Sequence, residues 1–116
     1  MLSGEPDSMK NIEKHMREMF GDKVNVFRSD PHFVELLPKY VDKGVAVEKL
    51  MRYLDINREK VICVGDSIND MPMLRYAGMG VAMGNAPDEI KQAANRVTAS
   101  HNDDGIALIL NEIFPE

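Results

Sequence analysis

A chain of 116 residues, 44% of them hydrophobic and with a formal charge of −5, holds about one domain's worth of sequence and a modest core. It has no basic run longer than two residues, which argues against a nucleic-acid surface, and no apolar run near the length of a membrane span. The N-terminus lacks a signal-peptide pattern, and the single cysteine, Cys63, excludes an intrachain disulfide and fits a reducing cytoplasm.

Met1-Leu2 reads as the end of a strand, and Gly4-Glu5-Pro6-Asp7 as a turn. A helix is predicted from Ser8, with Asp7 or Ser8 as its N-cap. Met9, Ile12, Met16, Met19 and Phe20 form one apolar stripe along it, and Gly21 ends it in the C′ position. Val24 to Arg28 and Phe33 to Leu37 read as strands on either side of a Ser29-Asp30-Pro31 turn. Residues 1–37 therefore form a β-α-β-β piece without a chemical motif. Pro38 to Gly44 is linker-like, and residues 38–116 make a second region of different composition.

In that region Val47, Leu50, Met51 and Leu54 lie at i, i+3, i+4 and i+7, which predicts an amphipathic helix from about Val45. Val61-Ile62-Cys63-Val64 is a fully buried, parallel-type strand. Gly65 breaks the run and lets the backbone turn. Asp66, Asn69 and Asp70 follow at once, and Pro72 opens a helix that runs through Tyr76 and is closed by Gly78. Gly80 to Met83 is a short buried strand, and Gly84-Asn85 a turn. Pro87-Asp88-Glu89 starts another helix, with its acids at the positive end of the dipole. Val97-Thr98 is a last strand, and a final helix from about Asp104 carries Ile106, Leu108, Ile109, Leu110 and Ile113. Helix and strand alternate from residue 45 on, so the fold class is α/β with a parallel sheet. The nine methionines, four of them between Met71 and Met83, read as adaptable core filler.

Two carboxylates and an amide thus stand at the carboxyl end of a buried strand, where open α/β sheets place ligands. Asp66 and Asp70 lie four residues apart. Such a pair is relieved by a raised pKa or by a cation, and a hard oxygen cluster suits Mg²⁺. Spacing alone leaves the plainer reading equally open, with Asp66 as a turn residue and Asp70 as a helix cap. Lys43, just ahead of the amphipathic helix, could reach the same sheet edge and neutralise a phosphoryl oxygen; taken singly it reads as a solvated surface cation. Asn69 and Asn102 are ordinary turn residues when taken singly. His15, His32 and His101 have no metal-ligand spacing, and Ser67 has no companion histidine for serine catalysis.

Together these residues resemble the haloacid dehalogenase superfamily, specifically its Cof-type phosphatases with an α/β cap. Lys43-Gly44-Val45-Ala46 with Leu50 matches the family's lysine motif. Gly65-Asp66-Ser67-Ile68-Asn69-Asp70 with Met73-Leu74 matches its G-D-x-x-N-D motif. Val81-Ala82-Met83-Gly84-Asn85-Ala86, Lys91, Val97-Thr98 and Asp104-Gly105 continue the pattern. The resemblance implies the second half of a three-layer Rossmann-like core, with residues 1–37 as a partial α/β cap remnant. It implies a magnesium-dependent hydrolase of small phosphorylated metabolites, acting through an aspartyl-phosphate. Asp66 and Asp70 would serve the metal, Lys43 catalysis and phosphoryl binding, and Asn69 phosphoryl binding.

The chain departs from the family in lacking the D-x-D-G-T motif that supplies the nucleophile. It is therefore expected to be inactive alone, to lack a neighbour for the strand at 61–64, and to form a homo-oligomer or a complex with a missing N-terminal half. Three readings are carried forward: a piece of a phosphatase, a binding module that kept the metal loop, and one subunit of a split enzyme.

Overall fold

In the computed structural model, which describes residues 1–115, the chain divides between Asp42 and Lys43 into two units. The first unit contains strand β1 (Leu2–Ser3), helix α1 (Pro6–Phe20), and strands β2 (Val24–Asp30) and β3 (Phe33–Pro38). The strands form an antiparallel sheet in the order β1-β3-β2, with Val26 opposite Leu36 and a register shift between Arg28 and Asp30. Helix α1 buries Met9 against Val26 and Val34, with Ile12, Met16, Val24 and Leu36 packed around them.

The helix begins two residues ahead of Ser8. Proline occupies its first turn, where a missing N–H costs nothing, and Glu5 is the extended N-cap, so neither Asp7 nor Ser8 caps it. The predicted apolar stripe is only partly used, because the last turn leaves Met19 and Phe20 exposed. Gly21 does not take the left-handed C′ conformation: its φ is −63°, and its N–H continues the helical pattern to the Arg17 carbonyl. Glu13 holds this unit's charges together, accepting from Arg17 at 2.7 Å and from Arg28 at 2.9 Å.

The second unit, from Lys43 on, has helix α2 (Lys43–Tyr53), strand β4 (Ile62–Gly65), helix α3 (Met71–Tyr76), strand β5 (Met79–Ala82), helix α4 (Asp88–Ala93), strand β6 (Arg96–Val97) and helix α5 (Gly105–Ile113). The three strands are parallel, in the order β4-β5-β6, with Cys63 opposite Gly80 and Gly65 opposite Ala82. One sheet face sends Cys63 and Ala82 into a core with Leu74, Ala77, Ala86 and Ile90, closed by Val47 and Met51 of α2 and by Met71 and Met73 of α3. On the other face Ile62 and Val64 line an apolar groove with Ile106, Ile109 and Leu110 of α5. This is a three-layer α/β arrangement. Among the described residues β4 pairs with β5 alone and is an edge strand. No helix of the described residues is long and apolar enough to cross a membrane.

Boundaries shift by one or two residues from expectation. Helix α2 starts at Lys43 rather than Val45, and β4 is displaced one residue toward the site. Of the predicted α2 stripe, Val47 and Met51 pack inward, whereas Leu50 and Leu54 are half exposed. Leu54 lies beyond the helix, which ends at Tyr53. Gly65 is part of the strand and has no positive φ, so it is not a conformational hinge. Its function is space: a Cβ there would stand 2.5 Å from the Asp70 Cβ. Gly65→Ala should therefore lower stability by about 1–3 kcal/mol, the usual range for overpacking, read as a fall in the urea midpoint at unchanged slope.

Burial pushes the Cys63 thiol above its ordinary value, which keeps the thiolate scarce and the residue a small apolar filler.

Candidate functional site

Strand β4 delivers Asp66 at its carboxyl end, and a single 3-10 turn, Ile68–Asp70, returns the chain beneath it. That return places Asp70, 5% exposed, against Gly65. One carboxylate oxygen, Oδ2, accepts the backbone N–H groups of Asp66 and Ser67, both at 3.0 Å. The other, Oδ1, accepts from the Lys43 ammonium. Asp70 Oδ2 is thus filled by its own loop, while Oδ1 takes the lysine and keeps one lone pair. Asp70 stands at the N-cap position of α3, but its side chain makes no cap bond to that helix; it closes the capping box of the 3-10 turn instead and forms a half-buried ion pair with a group 27 residues away.

Lys43 can reach Asp70 because α2 packs closely on α3. Gly44 permits this, since a Cβ there would lie 2.7 Å from the Pro72 carbonyl oxygen and 2.9 Å from its Cβ. The Lys43 side chain is 50% exposed, so the ammonium keeps N–H donors for a further acceptor while one is fixed by Asp70. The pairing fixes where that positive charge sits.

Asp66 is held differently. Its Oδ1 accepts from the Ser67 hydroxyl at 3.2 Å, and its Oδ2 from the Asn85 side-chain amide at 2.9 Å. Each oxygen retains a lone pair. Asn69, in the same 3-10 turn, has a buried Oδ1 without a hydrogen-bond partner among the described residues, an acceptor of the kind that is normally satisfied.

The four residues singled out in the sequence, Lys43, Asp66, Asn69 and Asp70, come from α2 and the β4–α3 loop. Asn85, read beforehand as a turn residue within the stretch 81–86 that continues the family resemblance but given no role there, joins them from the loop after β5. That stretch does not say what the amide does. The pointer is topological: Gly65 pairs with Ala82, so the loops that follow both strands emerge at one sheet edge. His15, His32 and His101 are dispersed and exposed. Asn102 lies in a 3-10 turn capped by Ser100, whose hydroxyl accepts the Asn102 backbone N–H at 3.2 Å. The described residues contain no group of three or more His, Cys, Asp or Glu that could hold a metal ion. The donors present are hard oxygens, with Asp66 the carboxylate that keeps a lone pair on each oxygen. That fits magnesium, which commonly takes one or two protein carboxylates and completes its shell with water and phosphate oxygens.

A parallel three-layer sheet with a lysine, two aspartates and two asparagines at its carboxyl edge defines a Rossmann-like α/β protein with its ligand site in the usual crevice. More narrowly, the chain belongs to the haloacid dehalogenase-like hydrolases, whose family pattern matches residues 1–110. A Haemophilus influenzae protein named as a candidate phosphatase is 49% identical over 99% of this chain, which covers 44% of that protein. The 5-amino-6-(5-phospho-D-ribitylamino)uracil phosphatase YitU of Bacillus subtilis is 45% identical over 72% of the chain and 31% of its own length. Among solved structures, a haloacid dehalogenase-like hydrolase from Bacteroides thetaiotaomicron superposes with a TM-score of 0.82 at 39% identity, covering 97% of this chain and 42% of the other. The sugar phosphatase BT4131, assigned to subclass IIB, gives 0.77 at 32% identity, covering 87% of this chain and 40% of the other. The chain spans less than half the length of these relatives.

Proposed function

We propose that this chain supplies the lysine-and-aspartate half of a phosphomonoester hydrolase site, and that the nucleophile comes from a segment outside it. The observation that carries this reading is the Lys43–Asp70 pair beside Asp66 at the carboxyl edge of the sheet, in a chain whose relatives include phosphatases. In this reading Lys43 donates to the phosphoryl oxygens and Asn69 adds an amide donor. Asp70 keeps Lys43 aimed, and Asp66 is the magnesium ligand. A magnesium ion bound there would neutralise phosphoryl charge and orient the group.

In the complete enzyme an aspartate from the other segment attacks phosphorus, the ester P–O bond breaks, and the leaving alkoxide takes its proton from a carboxylic acid of that same segment. Water then hydrolyses the acyl phosphate and regenerates the carboxylate. Small phosphorylated metabolites are the proposed substrates, and the edge of β4 is the proposed docking line for the complementing segment.

The test joins this chain to the remaining N-terminal part of the Haemophilus influenzae relative and follows magnesium-dependent hydrolysis of p-nitrophenyl phosphate. The 116-residue chain alone should show no turnover above background, and the joined protein should turn over. Turnover by the chain alone that is lost in Asp66→Ala, or a folded joined protein without activity, would refute the reading.

A further inference from the structure

We infer that Asn85 is a positioning residue for Asp66, fixing that carboxylate from the loop after β5; this rests on the reading of Asp66 as a magnesium ligand. The Asn85 Nδ2 group donates to Asp66 Oδ2 at 2.9 Å, while its Oδ1 accepts the backbone N–H of His101 at 3.0 Å. The two contacts determine each other. Reversing the amide would set carbonyl against carboxylate and N–H against N–H, so the His101 N–H dictates that the donor end faces Asp66.

The backbone beneath Asn85 is fixed on both sides. The Met83 N–H donates to the Gly65 carbonyl at 2.9 Å, extending the β4–β5 ladder past the strand ends, and the Gly84 N–H donates to the Ala99 carbonyl at 3.0 Å. On the far side of His101, the 3-10 turn His101–Asp103 is capped by Ser100. A neutral amide that donates to a carboxylate orients it without competing for a cation, and loss of such supporting contacts typically lowers metal affinity 10- to 100-fold.

Mn²⁺ serves as the probe, with free ion measured by its paramagnetic resonance against the whole 116-residue chain. Asn85→Ala should weaken Mn²⁺ binding about tenfold, the lower end of that range because the contact is exposed, while the thermal midpoint stays near that of the parent. Asn85→Asp, which adds a carboxylate at the same place, should bind Mn²⁺ at least as tightly as the parent. Asn95→Ala is the control for a purely structural amide. It removes an acceptor 2.7 Å from the Gly80 N–H, and should lower the midpoint without changing Mn²⁺ binding.

Asn85→Ala that binds like the parent while Asp66→Ala does not would overturn the positioning of Asp66 and leave the metal reading intact. The parent and Asp66→Ala binding alike would remove the metal reading instead. Positioning is then decided by the Asn85 side-chain amide protons in ¹⁵N spectra. Loss of their exchange protection in Asp66→Ala supports the contact, and unchanged protection overturns it.

Discussion

Lys43→Ala in the joined enzyme is expected to lower kcat for p-nitrophenyl phosphate by about 10²–10³, the usual cost of removing one preorganised donor to developing charge. The geometry makes this loss specific to turnover. The ammonium is held by Asp70 before any ligand arrives, so its donors are oriented in advance and little reorganisation is left for the reaction. Removing it also leaves the Asp70 carboxylate, 5% exposed, with only its two backbone donors. Because Lys43 is half exposed, water replaces part of what is lost, and the stability cost should stay near 1–3 kcal/mol. Lys43→Arg should not restore the rate, because a planar guanidinium cannot present donors from the same point. A fall in kcat below tenfold, with the chain folded, would remove Lys43 from the reacting group's surroundings.

The second large effect concerns association. The groove beside β4, about 260 Å³, is lined by Ile62, Val64, Ile106, Ile109, Leu110 and Phe114, and Ile62 is 38% exposed on a strand that pairs on one side only. An apolar edge of this kind invites another strand. Light scattering of the chain alone should show species larger than a monomer at high concentration. Ile62→Lys with Leu110→Glu should return it to a monomer, and both positions are exposed enough to accept charge without disturbing the core. The same pair should abolish rescue of activity when the N-terminal part of the relative is supplied as a separate chain. A parent that is monodisperse as a monomer would contradict this account of the edge.

The sequence made the loop legible because its cues are local. Four apolar residues, a glycine, two carboxylates and a proline follow one another in the order that a strand, a tight return and a helix require. What it could not show was how each atom is used. That both oxygens of Asp70 are engaged depends on α2 lying against α3, a contact 27 residues distant in sequence. The same limit applies to Gly65 and Gly44, which are selected for the absence of a side chain facing a neighbour rather than for backbone freedom. Periodicity overcounted burial on α1 and α2, because it shows which residues share a face but not how far the packed neighbour, a sheet for α1 and helix α3 for α2, extends. Met19, Phe20 and Leu50 mark where that cover ends. The role of Asn85 needed the parallel register, since the stretch 81–86 that resembles the family does not show that its loop emerges beside Asp66.

The surroundings of Asp70 match an aspartate better than either of its nearest chemical relatives. Its two oxygens face opposite clients, two backbone amides on one side and an ammonium on the other, and all of these clients give protons. An asparagine offers one acceptor and one donor, so whichever way it turned, one client would meet a group of its own polarity. A glutamate brings the second acceptor but also an extra methylene, at a place where the clearance was created by removing even a Cβ from Gly65. Asp70→Asn and Asp70→Glu should therefore each loosen the loop, the first by mismatched polarity and the second by crowding.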